Sequence, residues 1–141
     1  MKKWLCAALL LAGCSHTVSE DDLPQAHVIV GGKTYDTSIG TYCWDEVCVD
    51  KVSPDEQLQH AEPIIVSSGE PLSIQLEGEE PPTNIDVSRV NGNDVQIVPL
   101  EHGQMTAPIE RGKYTYNYRA SWLDGNVSYG DISYVFVIEV Q

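Results

Sequence analysis

The chain predicts an all-β domain, an antiparallel β-sandwich or small barrel carrying one short helical turn. From residue 27 onward, short runs of β-branched and aromatic residues recur between Gly, Pro, Asn and Asp turn signals. Several of these runs alternate apolar and polar residues with period two, as a half-buried strand requires. No stretch shows the spacing of an amphipathic helix. Many strands at this spacing within residues 27–141 leave room for one domain with one core.

The elements follow in order. Residues 27–30 and 33–36 flank Gly31-Gly32 as a hairpin, because two glycines accept the positive φ of a tight mirror-image turn. Residues 40–43 form a further extended piece. Ser53-Pro54-Asp55-Glu56 opens a one- or two-turn helix within 53–60, with Ser53 as N-cap and Pro54 at the first position. Residues 64–66 and 72–76 are strand segments around the turn Ser67-Ser68-Gly69-Glu70, the second alternating cleanly. Pro81-Pro82 breaks the pattern; 85–90 then runs to the turn Asn91-Gly92-Asn93-Asp94, with 95–98 as the partner strand. In the C-terminal third, Tyr114, Tyr116, Tyr118, Ala120 and Trp122 share one face of a strand, while Thr115, Asn117, Arg119 and Ser121 share the other. Asp124-Gly125 turns the chain, and 132–140 returns as the last strand.

Glu110-Arg111-Gly112-Lys113-Tyr114-Thr115-Tyr116 resembles the acidic-x-Gly-x-Tyr pattern that begins the penultimate strand of immunoglobulin-like domains. The resemblance implies an immunoglobulin-like antiparallel β-sandwich over residues 27–141. Tyr114 would form a tyrosine corner, its hydroxyl bonded to upstream backbone, and Tyr116 would stand where antibody domains carry an inter-sheet cysteine. Because the one available cysteine pair is local, the two sheets would be held by packing alone.

At the N-terminus, Lys2 and Lys3 precede an apolar run over 4–11 and the small residues Ala12-Gly13, the three parts of an export signal. The run is too short to span a bilayer as a helix. Leu11-Ala12-Gly13-Cys14 resembles the lipobox of bacterial lipoproteins. That resemblance implies removal of a signal peptide (1–13), a diacylglyceryl group on Cys14, a flexible tether (14–26) and attachment to the extracytoplasmic face of the bacterial cell membrane. Ser15, rather than Asp, after the cysteine implies outer-membrane delivery in a Gram-negative cell. Two or three acyl chains would make the anchor persistent, since one chain binds only marginally. An ordinary signal peptide, or a cytosolic chain with an apolar start, are the alternatives.

With Cys6 discarded and Cys14 lipidated, Cys43 and Cys48 remain, and outside the inner membrane they would pair, closing a loop through Trp44-Asp45-Glu46-Val47. So short a loop contributes only about 2 kcal/mol. Free thiols or a redox pair are the alternatives, although the spacing is not Cys-x-x-Cys. Lys2 and Lys3 leave with the signal, so six Lys and Arg face 21 Asp and Glu in the mature chain, a formal charge of −15. Such a charge argues against nucleic acid and against direct docking on anionic lipid.

The residues offer little chemistry. No Gly-x-Ser-x-Gly setting surrounds a serine, and His16, His27, His60 and His102 are scattered and read as surface histidines. The carboxylate groups Glu77/Glu79/Glu80 and Asp45/Glu46/Asp50 lack the alternating ligands of a calcium loop. No catalytic residue, metal site or cofactor is expected. Trp44 is the candidate ligand contact: inside a disulfide-closed acidic loop it is either an exposed anchor or a plug for the end of the core.

Gly40-Thr41-Tyr42-Cys43-Trp44, followed by Cys48, Asp50, Gly112-x-Tyr114, Trp122, Gly125 and Tyr134-x-Phe136, resembles small exported lipoproteins of Bacillus-type bacteria that have no established activity. It transfers no catalytic residue. The function expected is a lipid-anchored extracytoplasmic binding or accessory module of the cell envelope, with an envelope protein or a small molecule as ligand. The alternative is a surface-anchored protease inhibitor. An envelope enzyme has least support, because no nucleophile, base and orienter can be assembled.

Overall fold

Turn chemistry sets the first four strands. In the computed structural model, which describes Gly13 and residues 17–141, β1 (Ala26–Val30) and β2 (Lys33–Asp36) pair around Gly31 and Gly32 at φ 55° and 77°. A second hairpin, β3 (Ser38–Trp44) and β4 (Val47–Val49), turns through Asp45 and Glu46, both at positive φ. There follow α1 (Pro54–Gln57), β5 (Ile64–Val66), β6 (Pro71–Leu76), β7 (Asn84–Asn91), β8 (Asp94–Ile97), β9 (Gln104–Thr106), β10 (Gly112–Asp124) and β11 (Val127–Val140).

These strands form an all-β sandwich with one short α-helical turn. One sheet has the order β2-β1-β6-β9; the other runs β4-β3-β11-β10-β7-β8, with β5 added in parallel to β11. In immunoglobulin terms, β6 and β9 stand as the paired B and E strands, and β8-β7-β10-β11 as C′-C-F-G. β1 lies beside β6 in the place of strand A, and β2 and the β3–β4 hairpin extend the two sheets beyond that frame.

The tyrosine face of β10 points into the core as its alternation requires: Tyr116, Tyr118, Ala120 and Trp122 are buried. Tyr116, at the position of the absent cysteine, stacks on Phe136 with ring centroids 5.1 Å apart and planes 1° from parallel. Its hydroxyl is buried without a hydrogen-bond partner, and burial pushes its pKa up to about 12. β11 is buried on both faces from Ile132 to Ile138. Ile132, Tyr134, Phe136 and Ile138 enter the main core, while Val135 and Val137 pack against Leu58, just beyond α1. That explains a last strand reading as a continuous apolar run.

Four details differ from the sequence reading. The flexible tether assigned to residues 14–26 is folded from Ser19, which caps a 3-10 turn at Glu20–Asp22, and Ala26 already belongs to β1. Leu23 and Ala26 are 3% and 2% exposed, Lys51 pairs with Glu20, and the Tyr134 hydroxyl donates to the Pro24 carbonyl. Burial of these apolar side chains outweighs the acidity of the stretch. Two strands were not foreseen: β4, where the sequence reading saw only the end of the disulfide loop, and β9, which no turn or alternation marks. Ser53 at the N-cap and Pro54 at the first position of α1 stand as expected, although the Ser53 side chain makes no cap bond. The last hairpin closes with Asp124 opposite Val127, so β11 starts five residues earlier than expected.

Candidate binding surface

Both the β3–β4 and β10–β11 hairpins project from the same end of the second sheet, because Trp44 on β3 lies opposite Gly130 on β11. A disulfide joins Cys43 and Cys48, directly paired residues with Cα atoms 4.0 Å apart, and so fixes the first hairpin. Gly130 lets the Trp44 ring lie flat on the strand: a Cβ there would stand 2.5 Å from Trp44 Cε3. The ring then meets Trp122 edge-to-face, centroids 5.1 Å apart at 89°. Trp122 donates its indole N–H to the Glu80 carbonyl at 3.1 Å. Trp44 is therefore half-buried packing at the end of the core, and of its two candidate roles this geometry fits the plug.

Exposed apolar surface lies beside it, on residues the sequence reading did not single out. Leu123, Val127 and Tyr129 are 36%, 69% and 46% exposed and, with Glu80 and Asp124, line an open cleft at the hairpin tip. Tyr129 is the extra residue of a bulge, since Trp122 pairs with Gly130 but Leu123 with Ser128. Bulges re-aim side chains, and here the Tyr129 hydroxyl reaches Glu80 Oε2 at 3.1 Å. Desolvation, then the hydrogen bond and charge of Glu80 and the charge of Asp124, raise the Tyr129 pKa. The loop over residues 77–83 is strapped to the hairpin: Thr83 N–H donates to the Ser121 carbonyl at 2.8 Å, and Leu123 N–H donates to Thr83 Oγ1 at 3.0 Å. The surface thus combines three apolar side chains with a rim of carboxylates on braced backbone. Its signal in the sequence was Leu123-x-x-x-Val127-x-Tyr129 around a Gly turn, which only the bulged register brings together.

His27 is held by two carboxylates, Nδ1 to Asp36 Oδ1 at 3.0 Å and Nε2 to Glu77 Oε1 at 2.9 Å, which leaves neither nitrogen free to act as a base. The Glu77 hydrogen bond, reinforced by Asp36 against the opposing effect of desolvation, raises its pKa above 6.5. Among the described residues no three His, Cys, Asp or Glu side chains could hold a metal ion. Among them, too, no helix is long and apolar enough to cross a membrane. Cys14 and His16 lie outside the described residues. Compared with known proteins, the chain matches no family model, no curated protein and no solved structure.

Proposed function

We propose that this protein is a lipid-anchored extracytoplasmic binding module of the bacterial cell envelope, attached through Cys14, that engages a cationic segment of an envelope protein. The observation that carries this reading is the cleft of Leu123, Val127 and Tyr129, rimmed by Glu80 and Asp124 and held on braced hairpins. An apolar centre with a charged rim is the anatomy of a protein-binding patch, and its carboxylates favour basic partners. They also disfavour anionic lipid headgroups.

The folded N-terminal segment supports a membrane-proximal setting. Pro24 sits beside Gly78, and Glu77 N–H donates to the Gln25 carbonyl, so the chain enters the domain at the end that carries the cleft. Between Cys14 and Ser19 an extended chain spans at most roughly 18 Å. The partner segment would therefore lie close to the bilayer.

A photoreactive residue at Val127, in the full chain in envelope membranes, should give a discrete cross-linked product. The charge reversals Glu80→Lys with Asp124→Lys should remove that product, and Cys14→Ser should abolish lipid labelling. An undiminished product in the charge-reversed chain would refute the cationic partner, and a Cys14→Ser chain that is still labelled would refute the anchor.

A further inference from the structure

Among the described residues Tyr129 is the one aromatic side chain that is exposed, and it stands in the cleft with Leu123, Val127, Glu80 and Asp124. Negative charge alone does not single this cleft out, since the chain carries 21 Asp and Glu. What distinguishes it is how the ring and one of its carboxylates are held. Glu80 is fixed twice: its carbonyl accepts from the Trp122 indole N–H at 3.1 Å, and its Oε2 accepts from the Tyr129 hydroxyl at 3.1 Å. Trp122 is itself buried in the core and braced by Trp44. An exposed carboxylate is thereby anchored to the core, and the ring bonded to it is held in one place.

The side chains of the cleft answer the parts of one particular cation. A tyrosine face attracts a cation lying over it, and a planar, weakly hydrated guanidinium stacks there better than a compact, strongly hydrated ammonium. Glu80 comes from the loop over residues 77–83 and Asp124 from the end of β10, so the two carboxylates reach the cleft from separate segments. Glu80 Oε2 is engaged by Tyr129, while Oε1 and the Asp124 carboxylate take part in no ion pair among the described residues. A guanidinium spreads five N–H donors in a rigid fork, which suits two carboxylates on different segments. Leu123 and Val127 supply the apolar surface that the methylene stem of such a side chain covers.

Resting on the cationic partner proposed above, we infer that this cleft is a receptor for a single arginine side chain of that partner. The guanidinium lies on the Tyr129 ring between Glu80 and Asp124, and the methylenes lie on Leu123 and Val127. Desolvation, with the neighbouring Glu80 and Asp124 carboxylates, raises the Tyr129 pKa, so the hydroxyl keeps the proton that it donates to Glu80.

The test is titration of the isotope-labelled full chain, in neutral detergent micelles, with capped alanine pentapeptides whose central residue is arginine, lysine or citrulline, the uncharged counterpart of arginine. The readout is amide NMR. Saturable shifts of the Leu123, Val127 and Tyr129 amides are expected with the arginine peptide, with binding about tenfold weaker for lysine and no saturation for citrulline. Tyr129→Leu should remove the preference for arginine over lysine while both still bind through the carboxylates. Asp124→Asn, at an exposed position, should weaken both charged peptides several-fold and leave the rest of the amide spectrum in place. Lysine binding as tight as arginine, or an arginine preference that survives Tyr129→Leu, overturns the arginine receptor and leaves a cationic partner standing. Citrulline binding as tight as arginine, or no shift at these amides with either charged peptide, overturns the cationic partner together with it.

Discussion

The two ends of β10 are secured by the same kind of bond with very different reach. At one end the Tyr114 hydroxyl donates to the Glu110 carbonyl at 2.8 Å, four residues back, and Arg89 lies over the ring. At the other, Trp122 donates to the Glu80 carbonyl 42 residues away and is braced by Trp44, which depends on Gly130 for room. The first lock is local and partly open to water. The second ties three separate segments together and leaves an apolar surface beside them. The comparison teaches that a strand can be closed cheaply by its own sequence neighbours, whereas the end that presents a surface is held by residues distant in the chain.

If that difference is real, the Trp end should break hardest. Gly130→Ala places a Cβ against the Trp44 ring, and either the ring leaves or the strand shifts. We expect a loss of about 1–3 kcal/mol. Trp44 fluorescence should shift red, and Trp44→Ala should cost less in the Gly130→Ala background than in the parent, as coupled neighbours do. Denaturant melts of the four chains check this, and strict additivity would mean that the ring and the glycine are independent.

Tyr114→Phe sharpens the other side of the comparison. Immunoglobulin-like pairing alone suggests a buried bond, but this one is exposed, so water can replace the lost donor. A cost of about 0.5–1.5 kcal/mol is expected. Thr115→Ala, on the opposite face, should stay within about 0.5 kcal/mol. A neutral Tyr114→Phe beside a damaging Thr115→Ala would show that the faces of β10 are misassigned.

The smallest effect expected is the pH dependence from His27. Its folded pKa is raised by Glu77 and Asp36, so the stabilisation it provides is fully present below about 6.5 and fades as pH rises through the folded value. His27→Gln should therefore flatten the fall in stability that begins as pH rises past about 6.5; an unchanged slope in the variant would show that the imidazolium contributes nothing.

What could be read from the sequence follows the same division between local and distant. Gly31-Gly32, the Cys43–Cys48 pairing and the Gly112-x-Tyr114 corner each act across a few residues, so turn preferences and spacing sufficed. The folded stretch before residue 27 did not show itself, because its anchors, Tyr134 on Pro24 and Lys51 on Glu20, come from 110 and 31 residues away. The hairpin surface was hidden for a similar reason: a bulge of one residue decides where Tyr129 points.

The central claim is that the hairpin end is a rigid platform rather than a loose loop, and native-state hydrogen exchange tests it most directly. The Thr83 and Leu123 amides, which donate to Ser121 and to Thr83 Oγ1, should be protected nearly as well as the Tyr118 amide in mid-strand. Exchange of those two amides at the rate of an open loop, with Tyr118 still protected, would contradict the account.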